Sequence, residues 1–182
     1  MKVKGVAFLA RQNTLIPMLG EDTWRKFVKE YARREPFFEQ PVMPVTLIPA
    51  ETFLAFNDAT VERFFDNDVH AYWAFGEGSG QYALREGPLK GIYGPGDFKR
   101  FCQFTPSIWK GYYTAGELTA SVNNGVAEVH TRSPVPHVYF EYTAMGFIKA
   151  GLEMLGSKPV DYEVIKGFSR GDDESHYRFR FA

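Results

Sequence analysis

The residues able to do chemistry are few and scattered. The histidines are His70, His130, His137 and His176, and the one cysteine is Cys102. No two histidines stand at a ligand spacing such as H-x-x-x-H, and zinc needs about four converging N, S or O donors. No metal site is expected. Cys102 with His137 is the one conceivable nucleophile–base pair, but a cysteine flanked by Phe101 and Phe104 reads better as a small buried hydrophobe. Asp172, Asp173 and Glu174 form an acidic run without the ligand spacing and closing Glu of a calcium loop, which suits a solvated turn. His176, Arg178 and Arg180 alternate along one segment. That stripe suits an anion or acidic partner, or a solvent face tied to Glu163 across the strands at about 0.2–1 kcal/mol. Gly76-Glu77-Gly78-Ser79-Gly80 lacks the G-x-G-x-x-G spacing and preceding strand of a dinucleotide loop. No catalytic residue, no cofactor and no enzymatic activity are expected.

These side chains sit in a chain of 182 residues, read as a single domain over 1–182. The charges nearly balance, 21 Lys+Arg against 22 Asp+Glu, which excludes a non-specific nucleic-acid binder. One cysteine forbids an intramolecular disulfide, and a reducing cytoplasm is the expected home. The apolar run Val6-Ala7-Phe8-Leu9-Ala10 stops at Arg11, short of the roughly 7–15 residues of a signal peptide. No stretch approaches the ~18 apolar residues of a membrane span. The outlying number is aromatic content, 16%, from 17 Phe, 10 Tyr and 3 Trp.

Periodicity places the elements. Trp24, Phe27, Val28 and Tyr31 recur at i, i+3, i+4, i+7 after Gly20-Glu21-Asp22, a helix with one apolar face. The prolines from Pro36 to Pro49 make an irregular connection. A second helix is expected from Ala50 to Phe65 and a third from an Asp68 cap. Gly76 and Gly80 share a face of that third helix, and each costs about 1 kcal/mol there unless another backbone approaches closely. Asp97 is expected to cap a short helix, and Thr105-Pro106 to open another that ends at Gly116. The period then changes to two. Asn124-Gly125 signals a hairpin that pairs 118 with 131, 120 with 129 and 122 with 127. A helix from Tyr139 to Leu155, with Gly146 and Ala150 as a small-residue pair, precedes strands over Val160–Phe168 and His176–Phe181. The order argues an α+β fold: N-terminal helices plus an antiparallel four-stranded sheet, two hairpins separated by a helix, covered by helices.

On these segments the chain resembles the ligand-binding superfamily shared by haem–nitric-oxide sensor domains, four-vinyl-reductase-type domains and TRAPP vesicle-tethering subunits. Lys4-Gly5-Val6-Ala7-Phe8 and Gly20-Glu21-Asp22-Thr23-Trp24 are similar to the start of the haem–NO domains. Ala144 to Gly156, read as small-x-GF-x-x-AGLE-x-LG, with Arg170-Gly171-Asp172-Asp173 after it, is similar to the end of the four-vinyl-reductase type. The whole pattern also resembles a myxobacterial paralogous family of unknown function. The resemblance implies sensing or scaffolding rather than turnover, and dimerisation through helices. Two departures stand out. The haem–NO domains pair an axial His with a downstream Tyr-x-Ser-x-Arg frame that is missing here, and His70 is the only histidine of the helical half. The Cys that often ends the last loop of four-vinyl-reductase-type domains is Ser175 here. A TRAPP-like acyl chain on Cys102 is compatible with its aromatic setting.

The reading is therefore a non-enzymatic cytoplasmic sensory or interaction domain. It would bind a small apolar ligand, or a signalling protein partner, in a cavity lined by Tyr72, Trp73, Phe101, Trp109, Tyr112 and Tyr113. A homodimer is expected, with Gly76, Gly80, Gly146 and Ala150 at the helix interface. The alternatives are a dimerisation module without ligand and a haem-based gas sensor.

Overall fold

The computed structural model describes residues 1–157 and 160–181. They form two compact units: Met1–Asp68 with Tyr112–Thr114, and Val69–Gly111 with Ala115–Ala182.

The first unit opens with β1 (Lys2–Lys4), antiparallel to β2 (Leu47–Pro49), with Val3 opposite Ile48. Tyr113 bridges to Val3, and Lys2 exchanges hydrogen bonds with Thr114. This strand pair and the helix after it, α1 (Gly5–Leu19), were not expected. The sequence reading stopped the apolar run at Arg11. The fold instead buries Arg11, 2% exposed, with its Nε donating to Asn57 Oδ1 at 3.4 Å. A long polar side chain whose partner lies forty-six residues away leaves no local signal. Gly20, at φ +86°, turns the chain into α2 (Glu21–Ala32). A short 3-10 turn (Pro36–Glu39) and α3 (Ala50–Phe64) complete the unit. Phe56 of α3 is the hub of its core. It lies 4.7 Å from Phe38, 5.1 Å from Tyr31 and 5.2 Å from Phe8, centroid to centroid.

The second unit is the α+β part. Helices α4 (Ala71–Arg85) and α5 (Phe98–Gln103) belong to it, as does α6 (Thr105–Tyr112) up to Gly111. β3 (Glu117–Asn123) and β4 (Val126–Arg132) form the first hairpin. α7 (Val138–Met154) follows, then β5 (Asp161–Lys166) and β6 (Ser175–Arg180). The strands pair antiparallel in the order β3-β4-β6-β5. The hairpin register matches the expected one, with Leu118 opposite Thr131, Ala120 opposite Val129 and Val122 opposite Ala127. Asn124 and Gly125 both take positive φ, 48° and 74°, as a two-residue primed turn requires.

One expected helix start and one expected capping bond are corrected. α4 begins at Ala71 rather than at Asp68, because Asp66 and Asn67 take φ of 50° and 62° and hold the chain in a left-handed turn first. The Asp97 carboxylate accepts from the Gly94 amide at 2.8 Å and does not cap α5.

α4 and α7 touch backbone to backbone. Gly76 lies against the carbonyl of Thr143, Gly146 against the carbonyl of Trp73, and Gly80 against Phe147 and Ala150. The two small-residue stripes meet each other inside one chain. Lys149 locks the crossing, donating to Glu77 at 3.2 Å and to Glu153 at 2.8 Å. Gly146→Ala drives a methyl into the Trp73 carbonyl and is expected to cost about 1–3 kcal/mol, the usual overpacking range. Gly111→Ala on exposed α6 meets nothing and should be neutral or stabilising by up to about 1 kcal/mol. Urea unfolding of the two variants checks both outcomes.

Candidate functional site

The six aromatics proposed from sequence divide between the units. Tyr112 and Tyr113 belong to the first, their rings 6.2 Å apart. The other four all meet α7. Tyr72 stands edge-on to Tyr139 at 5.3 Å, and Trp73 lies 6.2 Å from Tyr142. Phe101 stacks on Phe147 at 6.2 Å, and Trp109 lies 6.0 Å from Phe140. Both indoles are anchored. Trp73 Nε1 donates to Glu77 at 3.0 Å, and Trp109 Nε1 to the Ala115 carbonyl at 3.0 Å. Beside Phe101 lies Cys102, fully buried, its thiol pushed up to about 12 by that burial. It is a protonated core residue, not a nucleophile.

α7 also carries a group that the sequence did not flag. Glu141 is fully buried, yet its carboxylate accepts from the Tyr177 hydroxyl at 2.6 Å, the Ser169 hydroxyl at 2.9 Å and the Ser169 amide at 2.7 Å. Burial, and then Glu141 beside it, push the Tyr177 hydroxyl up, so it stays a donor. The two Ser169 bonds tie the turn between β5 and β6, and the Tyr177 bond ties β6, to the first turn of α7. One acidic residue within an apolar helical stretch is the only sequence signal for this, and its partners lie 28 and 36 residues on.

Among the described residues, the first unit holds cavities of about 470, 390 and 380 Å³, and none of the six aromatics lines these. The largest of these, about 470 Å³, is lined by Gln12 of α1, by residues from Trp24 of α2 to its capping residue Arg33, and by Phe38 and Glu39 of the 3-10 turn. Its neighbour, about 380 Å³, runs on over Phe8, Leu9, Pro41 and Val42. Sequence reasoning assigned Trp24 to plain core, and it is 1% exposed. The concavity above it depends on a turn that periodicity cannot reveal.

No protein-family model matches the chain, and no curated protein does. Solved structures do. An H-NOX protein from Shewanella oneidensis in the Fe(II)NO ligation state superposes with a TM-score of 0.76 at 14% identity, covering 98% of this chain and 99% of that one. A point variant of Tt H-NOX gives 0.72 at 15% identity, over 98% and 94%. An oxygen-binding H-NOX domain related to soluble guanylate cyclases gives 0.71 at 16%, over the same shares. The fold is that of an H-NOX domain.

In this H-NOX-like chain, one face of the sheet is a charged ladder. Glu128 of β4 faces His176 Nε2 at 2.6 Å and accepts from Arg178 at 2.7 Å. Glu163 of β5 accepts from Arg178 at 3.2 Å and Arg180 at 2.8 Å. The cationic stripe is thus paired with two carboxylates. The acidic run is engaged too: Asp172 accepts from the Gly167 amide, and Glu174 pairs with Arg132 and Lys166. His130 stacks on His176 with centroids 4.0 Å apart. Burial, then the charge of His176, hold the His130 imidazole below its ordinary range. For Glu128, burial pushes upward, but hydrogen bonds from Arg178 and His176 outweigh it and hold the carboxyl low.

Two outcomes follow from these groups. Tyr177→Phe removes one of three donors to a buried carboxylate and is expected to cost about 1–3 kcal/mol in urea unfolding. A depressed His130 means that the unfolded chain takes up that proton more readily, so stability falls as pH drops below about 6.5. The unfolding free energy of His130→Asn, measured from pH 7.5 to about 5.5, should fall less steeply than that of the parent.

Proposed function

We propose that the chain is a non-enzymatic sensory domain that reports the binding of a small ligand. The observation that supports this is the likeness over nearly the whole chain to the S. oneidensis H-NOX protein, matched end to end in both directions. A signalling protein partner and a homodimer belong to the same reading, as does a cytoplasmic setting. Among the described residues, no helix is long and apolar enough to cross a membrane.

The structural neighbours carry iron in Fe(II) and Fe(II)NO states, and they favour a haem gas sensor as the form that sensing would take. The donor set of this chain argues otherwise. Haem iron takes an axial His, Met or Tyr, or a Cys thiolate. His137 accepts the Tyr139 amide at 3.1 Å through Nδ1 and caps α7. His130 and His176 stack on each other on the charged face of the sheet. His70, exposed, lies flat on Tyr142 at 5.3 Å. Cys102 is held protonated. No histidine stands on α5 or α6. The histidines and Cys102 do not fit a haem, and on that ground we read the ligand as a small apolar organic molecule.

The haem sensor is the second reading, carried by the neighbours themselves, and His70 is the histidine that it would use. Reconstitution with hemin and an absorbance scan separate the two. The organic-ligand reading expects no Soret band above that of free hemin. A sharp Soret band that is lost in His70→Ala would establish the haem sensor instead.

A further inference from the structure

Helix α2 and its capping residue Arg33 carry two parallel rows. Trp24, Val28 and Ala32 recur every four residues, and Arg25, Lys29 and Arg33 follow each of them by one. Residues four apart share a helix face, so an apolar row runs beside a cationic one. All six line the 470 Å³ cavity. Its volume falls within the roughly 300–1,000 Å³ of small-molecule sites.

The polar part of this lining is lopsided. It holds three cations against one carboxylate, Glu39. Arg25 is bound to Glu21 at 2.6 Å. Lys29 and Arg33 form no ion pair among the described residues, and both are exposed. The apolar part continues: the adjoining cavity shares Val28 and Phe38 and extends over Phe8, Leu9, Pro41 and Val42, with Gln12, Glu39 and Gln40 as its polar lining. In this groove the cations line only the first cavity, and the lining beyond them is mostly apolar. Its polar floor is already engaged, with Trp24 Nε1 donating to Gln12 at 3.2 Å.

We propose that this groove binds a single-chain amphiphilic carboxylate. The carboxylate lies at Lys29 and Arg33, and the alkyl chain runs over Val28 and Phe38 toward Val42. Charge complementarity selects the anion, and the apolar row from Val28 and Phe38 to Val42 selects an alkyl tail over a compact acid. The site lies wholly within the first unit and stands whether or not the sensory reading holds.

The chain has three tryptophans, and only Trp24 lines this groove. A Trp73→Phe/Trp109→Phe variant therefore reports on it alone. Titration with octanoate, decanoate and dodecanoate, each below its micelle concentration, should give a saturable change in Trp24 emission. Affinity should rise about three- to fourfold per added methylene, the gain from burying one CH₂. Lys29→Gln/Arg33→Gln should weaken dodecanoate at least tenfold and leave dodecanol unchanged. Calorimetry on the parent chain with the same ligands gives the same test if the tryptophan variant does not fold. The proposal is overturned if no saturable signal appears, or if dodecanoate and dodecanol bind alike. It is also overturned if the protein floats with phosphatidylglycerol vesicles through Lys29 and Arg33 while free dodecanoate does nothing, since the groove would then be a membrane-surface contact.

Discussion

The second unit depends on how closely α4 and α7 approach. Two helices packed through ordinary side chains keep their axes about 8–10 Å apart. Here the absent Cβ atoms of Gly76 and Gly146 let each helix rest on the carbonyls of the other. Close approach draws the flanking rings onto α7: Tyr72 on Tyr139, Trp73 beside Tyr142, Phe101 on Phe147. α7 is therefore held on several sides, and its buried Glu141 can act as a fixed anchor for the far turn of the sheet. Interiors packed to this density transmit displacement rather than absorb it.

What was legible in the sequence was what local rules govern. The 118–131 pairing came from an Asn-Gly turn and a period of two, and α2, α3 and α7 from a period near 3.6. The glycine stripes announced a close approach, though not between which helices. What was hidden was non-local. α1 was hidden because its buried Arg11 finds its partner, Asn57, on another helix. β1 was hidden because three residues pair with three others more than forty positions away.

The candidate sites show the same division. The aromatic surplus was visible as composition, but composition does not say which rings fill and which line. Tyr72, Phe101 and Trp109 are at most 3% exposed and packed among other rings. The groove in the first unit uses residues that looked ordinary: a helix face read as core, and the basic residues beside it. Only the turn at Pro36–Glu39, brought over α2, makes a concavity of them.

The chain leaves the first unit at Asp68 and returns to it for three residues only, Tyr112–Thr114. Those three complete the edge of β1, through the Tyr113 bridge to Val3 and the bonds between Thr114 and Lys2. Although its helices are contiguous, the first unit is therefore not a separable N-terminal fragment. During synthesis it stays unfinished until residue 114 has left the ribosome, by which time α4, α5 and α6 have also emerged. The order in which the two halves mature is written into a three-residue return of the backbone, not into the strength of either core.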